Sequence, residues 1–226
     1  MKTVASILRA ADALDSDRFK TFGVYYLENT WPANFTKFDG GIMENVVDSA
    51  ELAWQYKINS ALKRVLYELV RANDFRPSTS SQDEDHRLIE ASKFHRTWLI
   101  HAREKLTAFW MKKAIPPKAG QCVSPKNTEV HKLCAITRST VHVPYTVLVH
   151  DSGTFFRYRQ DPMVGLQTLI DAPWVHGEAW PPTHQDLPKS HQRICARCAM
   201  SWRATWRIER EELWHDLDIW FGLAKP

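Results

Sequence analysis

The spacing of the apolar residues constrains the fold of this chain more than any other feature. Val4, Leu8 and Ala11 recur at intervals of three or four residues. The same interval continues in four further segments, at 17–31, 42–56, 61–72 and 94–113. Since an α-helix has 3.6 residues per turn, this period lines apolar side chains along one helix face. The sequence therefore predicts a mainly α fold whose N-terminal part is an array of helices.

The second of these helices carries most of its aromatic residues on one side. Phe19, Phe22, Tyr26 and Leu27 form one face, and Trp31-Pro32 ends the helix, because the residue before proline is disfavoured in helical geometry. The cluster 15–17, Asp-Ser-Asp, stops the first helix and is expected to cap the second.

The helical period is lost between residues 118 and 160. Alternating Val and Tyr residues at 141–149 predict one edge strand there, interrupted by Pro144. Asp161-Pro162 is typical of a helix N-cap followed by proline in the first turn. The last helix is predicted at 190–217, with Trp202, Trp206 and Trp214 on one side as core or interface residues.

Composition and a polar break suggest the domain organisation. The 226 residues are 44% hydrophobic and 25% charged, the balance of a globular chain. Residues 76–86 are rich in Ser, Thr and Asp and predict a loop. We therefore expect a helical region at 1–75, a polar loop at 76–86, and a region at 87–226 that contains a long helix, an irregular cysteine-bearing segment and a Trp-rich terminal helix.

Charge and hydropathy exclude several classes of protein. No apolar run is long enough to span a membrane, and acidic residues follow the first ten residues too soon for a secretion signal. The 30 basic and 26 acidic residues give a net charge of +4, which is too weak alone to indicate nucleic-acid binding. We expect an intracellular protein, either cytoplasmic or nuclear.

The four cysteines predict a structural zinc site. Cys195 and Cys198 form a C-x-x-C at a predicted helix start, where both sulfurs would point to one side. Cys122 and Cys134 lie in the irregular segment, which has little hydrophobic pattern of its own. We expect one Zn²⁺ per chain, held by all four thiolates, to tie this segment to the last helix. His131, His184 and His191 are reserve ligands.

Two other interpretations of the cysteines remain open. Four buried reduced thiols are the plainer one, and a redox pair is the other, although the βαβ setting of redox C-x-x-C motifs is missing.

An enzymatic alternative uses the same C-x-x-C. His176-Gly177-Glu178 followed by Cys195 and Cys198 has the outline of the zinc deaminase signature, in which His and two Cys bind zinc and Glu transfers protons. Ile194 stands where that signature has proline. A zinc-dependent nucleic-acid binder is a further alternative, because Arg203, Arg207 and Arg210 interleave with aromatic residues.

Several short motifs, in order, resemble one protein family. They are Tyr26-Leu27-Glu28-Asn29-Thr30-Trp31-Pro32 within residues 4–32, Val65-Leu66-Tyr67-Glu68-Leu69-Val70-Arg71 within residues 50–71, Arg103-Glu104-Lys105-Leu106 followed by Cys122 and Cys134, and Asp161-Pro162-Met163-Val164-Gly165-Leu166 followed by the C-x-x-C and the tail 211–223. Together they resemble the region that follows the core of BTB/POZ-domain proteins abundant in basidiomycete fungi.

The resemblance implies the end of a BTB fold at 4–32 and a helical region after it. In that family the core, which would precede Val4 and is not in this sequence, carries the dimer interface and the cullin-binding surface. The sequence therefore predicts a non-enzymatic, adaptor-type protein that binds protein partners. Its first helices and its Trp-rich last helix are the expected binding surfaces, and zinc is its expected structural cofactor.

Overall fold

The protein is mainly α-helical. A computed structural model describes residues 1–35, 45–71, 82–114, 145–175 and 195–224. In this part of the chain 80% of the residues are helical and none forms a strand, which confirms the predicted fold class.

Eight α-helices are present among the described residues. They are α1 (Lys2–Ala13), α2 (Asp17–Thr30), α3 (Val46–Gln55), α4 (Asn59–Arg71), α5 (Gln82–Met111), α6 (Thr154–Arg157), α7 (Pro162–Asp171) and α8 (Ala196–Trp220). A 3₁₀ turn, Lys112–Ala114, follows α5, and a π-helical segment, Thr146–Asp151, precedes α6.

The chain forms two compact units. One comprises Met1–Glu104 and Trp214–Pro226, and the other comprises Lys105–Leu213. The boundaries therefore lie within α5 and α8. Helix α5 already begins at Gln82, inside the polar segment 76–86 that the sequence predicts as a loop.

In the first unit, α1 and α2 pack as a helical hairpin around small residues. Val4, Leu8 and Ala11 of α1 are buried, as are Gly23 and Leu27 of α2. A Cβ atom added at Gly23 would lie 2.4 Å from Cδ2 of Leu8. The two helices thus approach each other closely at Gly23, since only glycine leaves room for the Leu8 side chain.

Helix α4 is buried almost all round, so it forms the centre of the first unit. Every residue from Ala61 to Glu68 is buried, including the charged Lys63, Arg64 and Glu68. Buried charges are tolerated when they are paired. Lys63 pairs with Asp218 at 2.7 Å, and Glu68 pairs with Arg64 at 2.8 Å and with Arg71 at 3.1 Å.

Aromatic side chains form the core of the second unit. The ring centroid of Trp174 lies 5.4 Å from that of Trp202 and 5.3 Å from that of Trp206. Trp110 stacks on Phe155 with 6.3 Å between the ring centroids, and its Nε1 donates to the Phe155 carbonyl oxygen. The bulky rings therefore fill the space between the short α6 and α7 and the ends of the long helices that belong to this unit.

Two details of the predicted secondary structure are wrong. Tyr145 and residues 146–149 are helical rather than part of an edge strand. Tyr145 and Val149 are both buried and lie four residues apart, a spacing that suits a helix as well as the assumed alternation. The last helix begins at Ala196 and not near residue 190; Cys195 is therefore the residue immediately before it.

Candidate functional site

The C-x-x-C pair lies at the start of α8 with both side chains facing the interior of the second unit. Cys198 is 2% exposed and Cys195 is 9% exposed, whereas Ala196 and Arg197 between them are exposed. The backbone N–H of Ala199 donates to the carbonyl oxygen of Cys195 at 3.0 Å, so Cys195 stands at the N-cap. Neither of the two forms a disulfide. This helix start thus presents both sulfur-bearing side chains on one side, as a C-x-x-C metal ligand pair requires.

The other proposed metal ligands lie outside the described residues. This is true of Cys122, Cys134, His131, His184 and His191, and also of His176 and Glu178 of the deaminase-like alternative. Among the residues that the structure does describe, no three His, Cys, Asp or Glu side chains are grouped so that they could hold a metal ion. Cys195 and Cys198 are therefore the only proposed ligands whose placement the structure describes, and the zinc site stays a prediction.

The Trp-rich helix does not offer its tryptophans as a binding surface. Trp202 and Trp206 are buried in the second unit, and Trp214 is buried in the first. The indole N–H of Trp214 donates to the Ala33 carbonyl oxygen at 3.0 Å, and the ammonium of Lys63 lies 4.7 Å from the Trp214 ring centroid. These indoles serve the two cores, which confirms the core interpretation of the Trp pattern, and they are not exposed to a partner.

Two arginines of the basic and aromatic pattern on α8 bind the protein itself. Arg203 donates to the carbonyl oxygens of Ile170 and Ala172. Arg210 is buried and donates to the Met163 carbonyl oxygen and to Oε1 of Gln167. Both guanidinium groups hold α8 against α7 and the residue that follows α7. Their hydrogen-bond donors are therefore used within the protein and not offered to a nucleic acid.

Burial shifts the pKa of two groups that lie in the cores. Desolvation lowers the pKa of Arg64, and the neighbouring Glu68 carboxylate partly offsets this shift. Burial also raises the pKa of Tyr145, whose hydroxyl donates to the Lys113 carbonyl oxygen. Both groups have structural partners, so their shifted pKa values reflect packing rather than a reaction site.

An exposed aromatic surface lies on α2. Phe19 and Phe22 are each 52% exposed, Tyr25 is 64% exposed and Tyr26 is 45% exposed. At 3.6 residues per turn these four positions span about 120° of the helix circumference, so they lie on one side of it. We call these four residues the α2 aromatic face.

The sequence pattern groups one buried residue, Leu27, with the exposed aromatic residues of α2. The sequence predicts Phe19, Phe22, Tyr26 and Leu27 on one face, but Leu27 is fully buried while the three aromatic residues are exposed. Gly23 carried the missing signal. It lies four residues before Leu27, and a glycine within a helix indicates a close helix contact, so the Gly23–Leu27 line is the buried side.

Comparisons with known proteins give no further identification. No protein-family model, curated protein or solved structure matches this chain. No helix in the described ranges has both the length and the apolar character needed to cross a membrane.

Proposed function

We propose that this protein is a non-enzymatic, adaptor-type protein that binds a protein partner through the α2 aromatic face. The observation that carries the proposal is the exposure of these four aromatic side chains on one side of a single helix. Scattered exposed apolar residues are ordinary, but contiguous ones are typical of interaction sites. Phe and Tyr also combine a large apolar area with few rotatable bonds, so fixing them in an interface costs little entropy.

The contacts of α2 explain how this face can be exposed without loss of stability. Helix α2 is held by a different side, where Gly23 lies close to Leu8 of α1 and Leu27 is fully buried. Ser60 of α4 also donates to Oε1 of Glu28 at 2.7 Å. Because the aromatic face takes no part in these contacts, it can bind a partner without any rearrangement of the hairpin.

A structural zinc ion completes the proposal. Cys195 and Cys198 would supply two thiolates, and Cys122 and Cys134 the other two, with His131, His184 and His191 as reserves. Zinc held in this way stabilises the fold and leaves no open position for water or substrate. The inward orientation of the C-x-x-C supports this arrangement. A four-thiolate site also requires reduced cysteines, which suits the cytoplasm or the nucleus.

The resemblance to the post-core region of BTB/POZ proteins supports the adaptor class. Those proteins recruit protein partners, and the resemblance implies the same role for this chain. The α2 aromatic face lies within residues 4–32, the first segment that carries this resemblance.

The proposal is tested with a purified partner and two matched variants. Proteins captured from source cells are identified, and one is produced in pure form for calorimetric titration. We expect Phe22→Ser to weaken its binding about tenfold or more, because exposed aromatic residues dominate interface energies. Phe156→Ser removes an aromatic side chain that is 72% exposed in the second unit and should change the affinity less than about twofold. Equal binding by both variants would refute the proposed surface.

A further inference from the structure

We infer that the α2 aromatic face binds a second copy of this chain, through antiparallel pairing of two α2 helices. The inference rests on the proposed function, because it assigns an occupant to the same face. Three properties of α2 lead to it: the order of its aromatic residues, the charge of the hairpin and the area of the face.

The aromatic residues are arranged so that α2 complements itself when it is reversed. Both phenylalanines lie in the N-terminal half of the helix and both tyrosines in the C-terminal half. Phe22 and Tyr25 are symmetric about the midpoint of α2. Phe19 and Tyr26 are symmetric about a point one residue earlier, so the two symmetry points lie only about 1.5 Å apart along the helix axis. Antiparallel pairing therefore brings each phenylalanine against a tyrosine of the other copy.

This pairing also suits the tyrosine hydroxyl groups. A Phe–Tyr contact buries one ring without any polar atom, while the tyrosine can direct its hydroxyl to the rim of the interface and to water. In a parallel pair, Tyr25 and Tyr26 of both copies would instead lie side by side at one end of the interface. The antiparallel arrangement satisfies the polar atoms with less crowding.

The charges on the hairpin permit two copies to approach. Residues 1–30 contain four basic and four acidic side chains, so two copies of this hairpin carry no net charge that would repel. Antiparallel pairing also separates the acidic turn of one copy, Asp15 and Asp17, from that of the other. Arg18 then lies towards the C-terminal half of the second copy's α2, where Glu28 and the negative end of the helix dipole attract it.

The exposed area matches a weak but specific dimer. A fully buried aromatic side chain removes about 150–250 Å² from water, so four half-exposed ones contribute about 400 Å² per copy. The aliphatic part of Arg18, which lies on the same side of α2 as Phe22 and Tyr25, brings the total for two copies to about 1,000 Å². This is the lower limit for a specific interface, so we expect a dissociation constant in the micromolar range.

Sedimentation velocity of the full chain between about 1 and 200 μM is the first test, in a range that brackets micromolar affinity. The wild-type chain should shift from monomer to dimer as the concentration rises. Phe22→Ser should weaken the dimer about 30-fold or more, and Phe156→Ser should leave it unchanged. Circular dichroism verifies that both variants retain their helices. A wild-type chain that stays monomeric at 200 μM, or a dimer that Phe22→Ser does not weaken, overturns the inference.

A photocrosslinker in place of Tyr25 tests the orientation without relying on a destabilising change. With p-benzoylphenylalanine at position 25, the antiparallel pair should give a covalent dimer whose crosslink maps by mass spectrometry to residues 19–22 of the second copy. Crosslinks centred on residues 25–29 of the second copy, as in a parallel pair, or confined to residues outside α2, overturn the arrangement.

The dimer and the proposed function can fail separately. A monomeric chain whose binding of a purified partner still depends on Phe22 overturns the dimer and retains the function. If the dimer depends on Phe22 but binding of the partner does not, the dimer is retained and the proposed function is overturned. If both depend on Phe22, the partner must compete with the second copy, and adding partner should dissociate the dimer.

Discussion

Individual glycines set how closely the helices of this protein pack. Gly165 of α7 lies against Trp110, and a Cβ atom at this position would lie 2.5 Å from the Trp110 ring and 2.8 Å from Cβ of Tyr158. Trp110 is fully buried, stacked on Phe155 and held by a hydrogen bond. The ring therefore has little room to move.

The first prediction concerns this glycine. Gly165→Ala should lower the free energy of unfolding by about 1–2 kcal/mol, because the overpacking exceeds the gain in helix propensity of about 1 kcal/mol. Urea denaturation measures the change. Gly153→Ala is the comparison, since a Cβ there meets nothing within 4 Å and its cost arises from the positive φ of 73°. An unchanged midpoint for Gly165→Ala would show that the Trp110 ring can shift.

The second prediction concerns the buried charges of α4. Glu68→Gln keeps the shape of the side chain but removes the carboxylate that pairs with Arg64 and Arg71. The free energy of unfolding should fall by about 3 kcal/mol, because two buried guanidinium groups lose their common counter-ion. Glu28→Gln, on an exposed residue that can still accept the Ser60 hydrogen bond, should cost less than about 0.5 kcal/mol. Equal losses in the two variants would contradict the role given to the α4 charges.

At the scale of the elements, helix type and order follow from the period of the apolar residues, but the direction of a helix face does not. Aromatic residues at helical spacing mark either a core or a surface, and in α2 only the contact of Gly23 with Leu8 decides between them. The short segment at 145–149 was ambiguous for another reason, because a run of this length fits a strand or a helix equally well. The burial of α4 depends on partners such as Asp218, which is 155 residues from Lys63.

Of the predicted zinc site, the structure describes only the placement of the C-x-x-C. The sequence predicts that a helix start places Cys195 and Cys198 on one side, and their burial agrees. The positions of Cys122 and Cys134 cannot be predicted in the same way, because the sequence around them has no periodic apolar pattern that would fix them.

The third prediction compares two helix caps. Asp161 accepts a hydrogen bond from the Val164 N–H at 3.3 Å, ahead of proline in the first turn of α7, as the sequence predicts. Ser16 is the N-cap of α2 but makes no side-chain cap hydrogen bond. Asp161→Ala should therefore cost about 1 kcal/mol in urea denaturation, and Ser16→Ala less than about 0.5 kcal/mol. The reverse order would contradict these cap assignments.

At the scale of the whole molecule, the two compact units differ in what stabilises them. The first unit has a buried helix with internal ion pairs. The second unit has an aromatic core, and its last helix begins with the C-x-x-C. If zinc joins Cys195 and Cys198 to Cys122 and Cys134, its effect on stability should be concentrated in the second unit, because all four cysteines belong to residues 105–213.

The fourth prediction tests this dependence. The purified chain should contain one zinc ion, and Cys195→Ser should release it, because the loss of one thiolate leaves three ligands and opens the site to chelators. Elemental analysis measures the zinc content, and thermal unfolding with and without a chelator measures how much zinc contributes to stability. In Cys195→Ser the chelator should no longer change the unfolding temperature. Met200→Ser, at an exposed residue on the same helix, should retain the zinc. A metal-free chain that unfolds at the same temperature with or without added zinc would leave Cys195 and Cys198 as ordinary buried thiols, and the adaptor proposal would then depend on the α2 aromatic face alone.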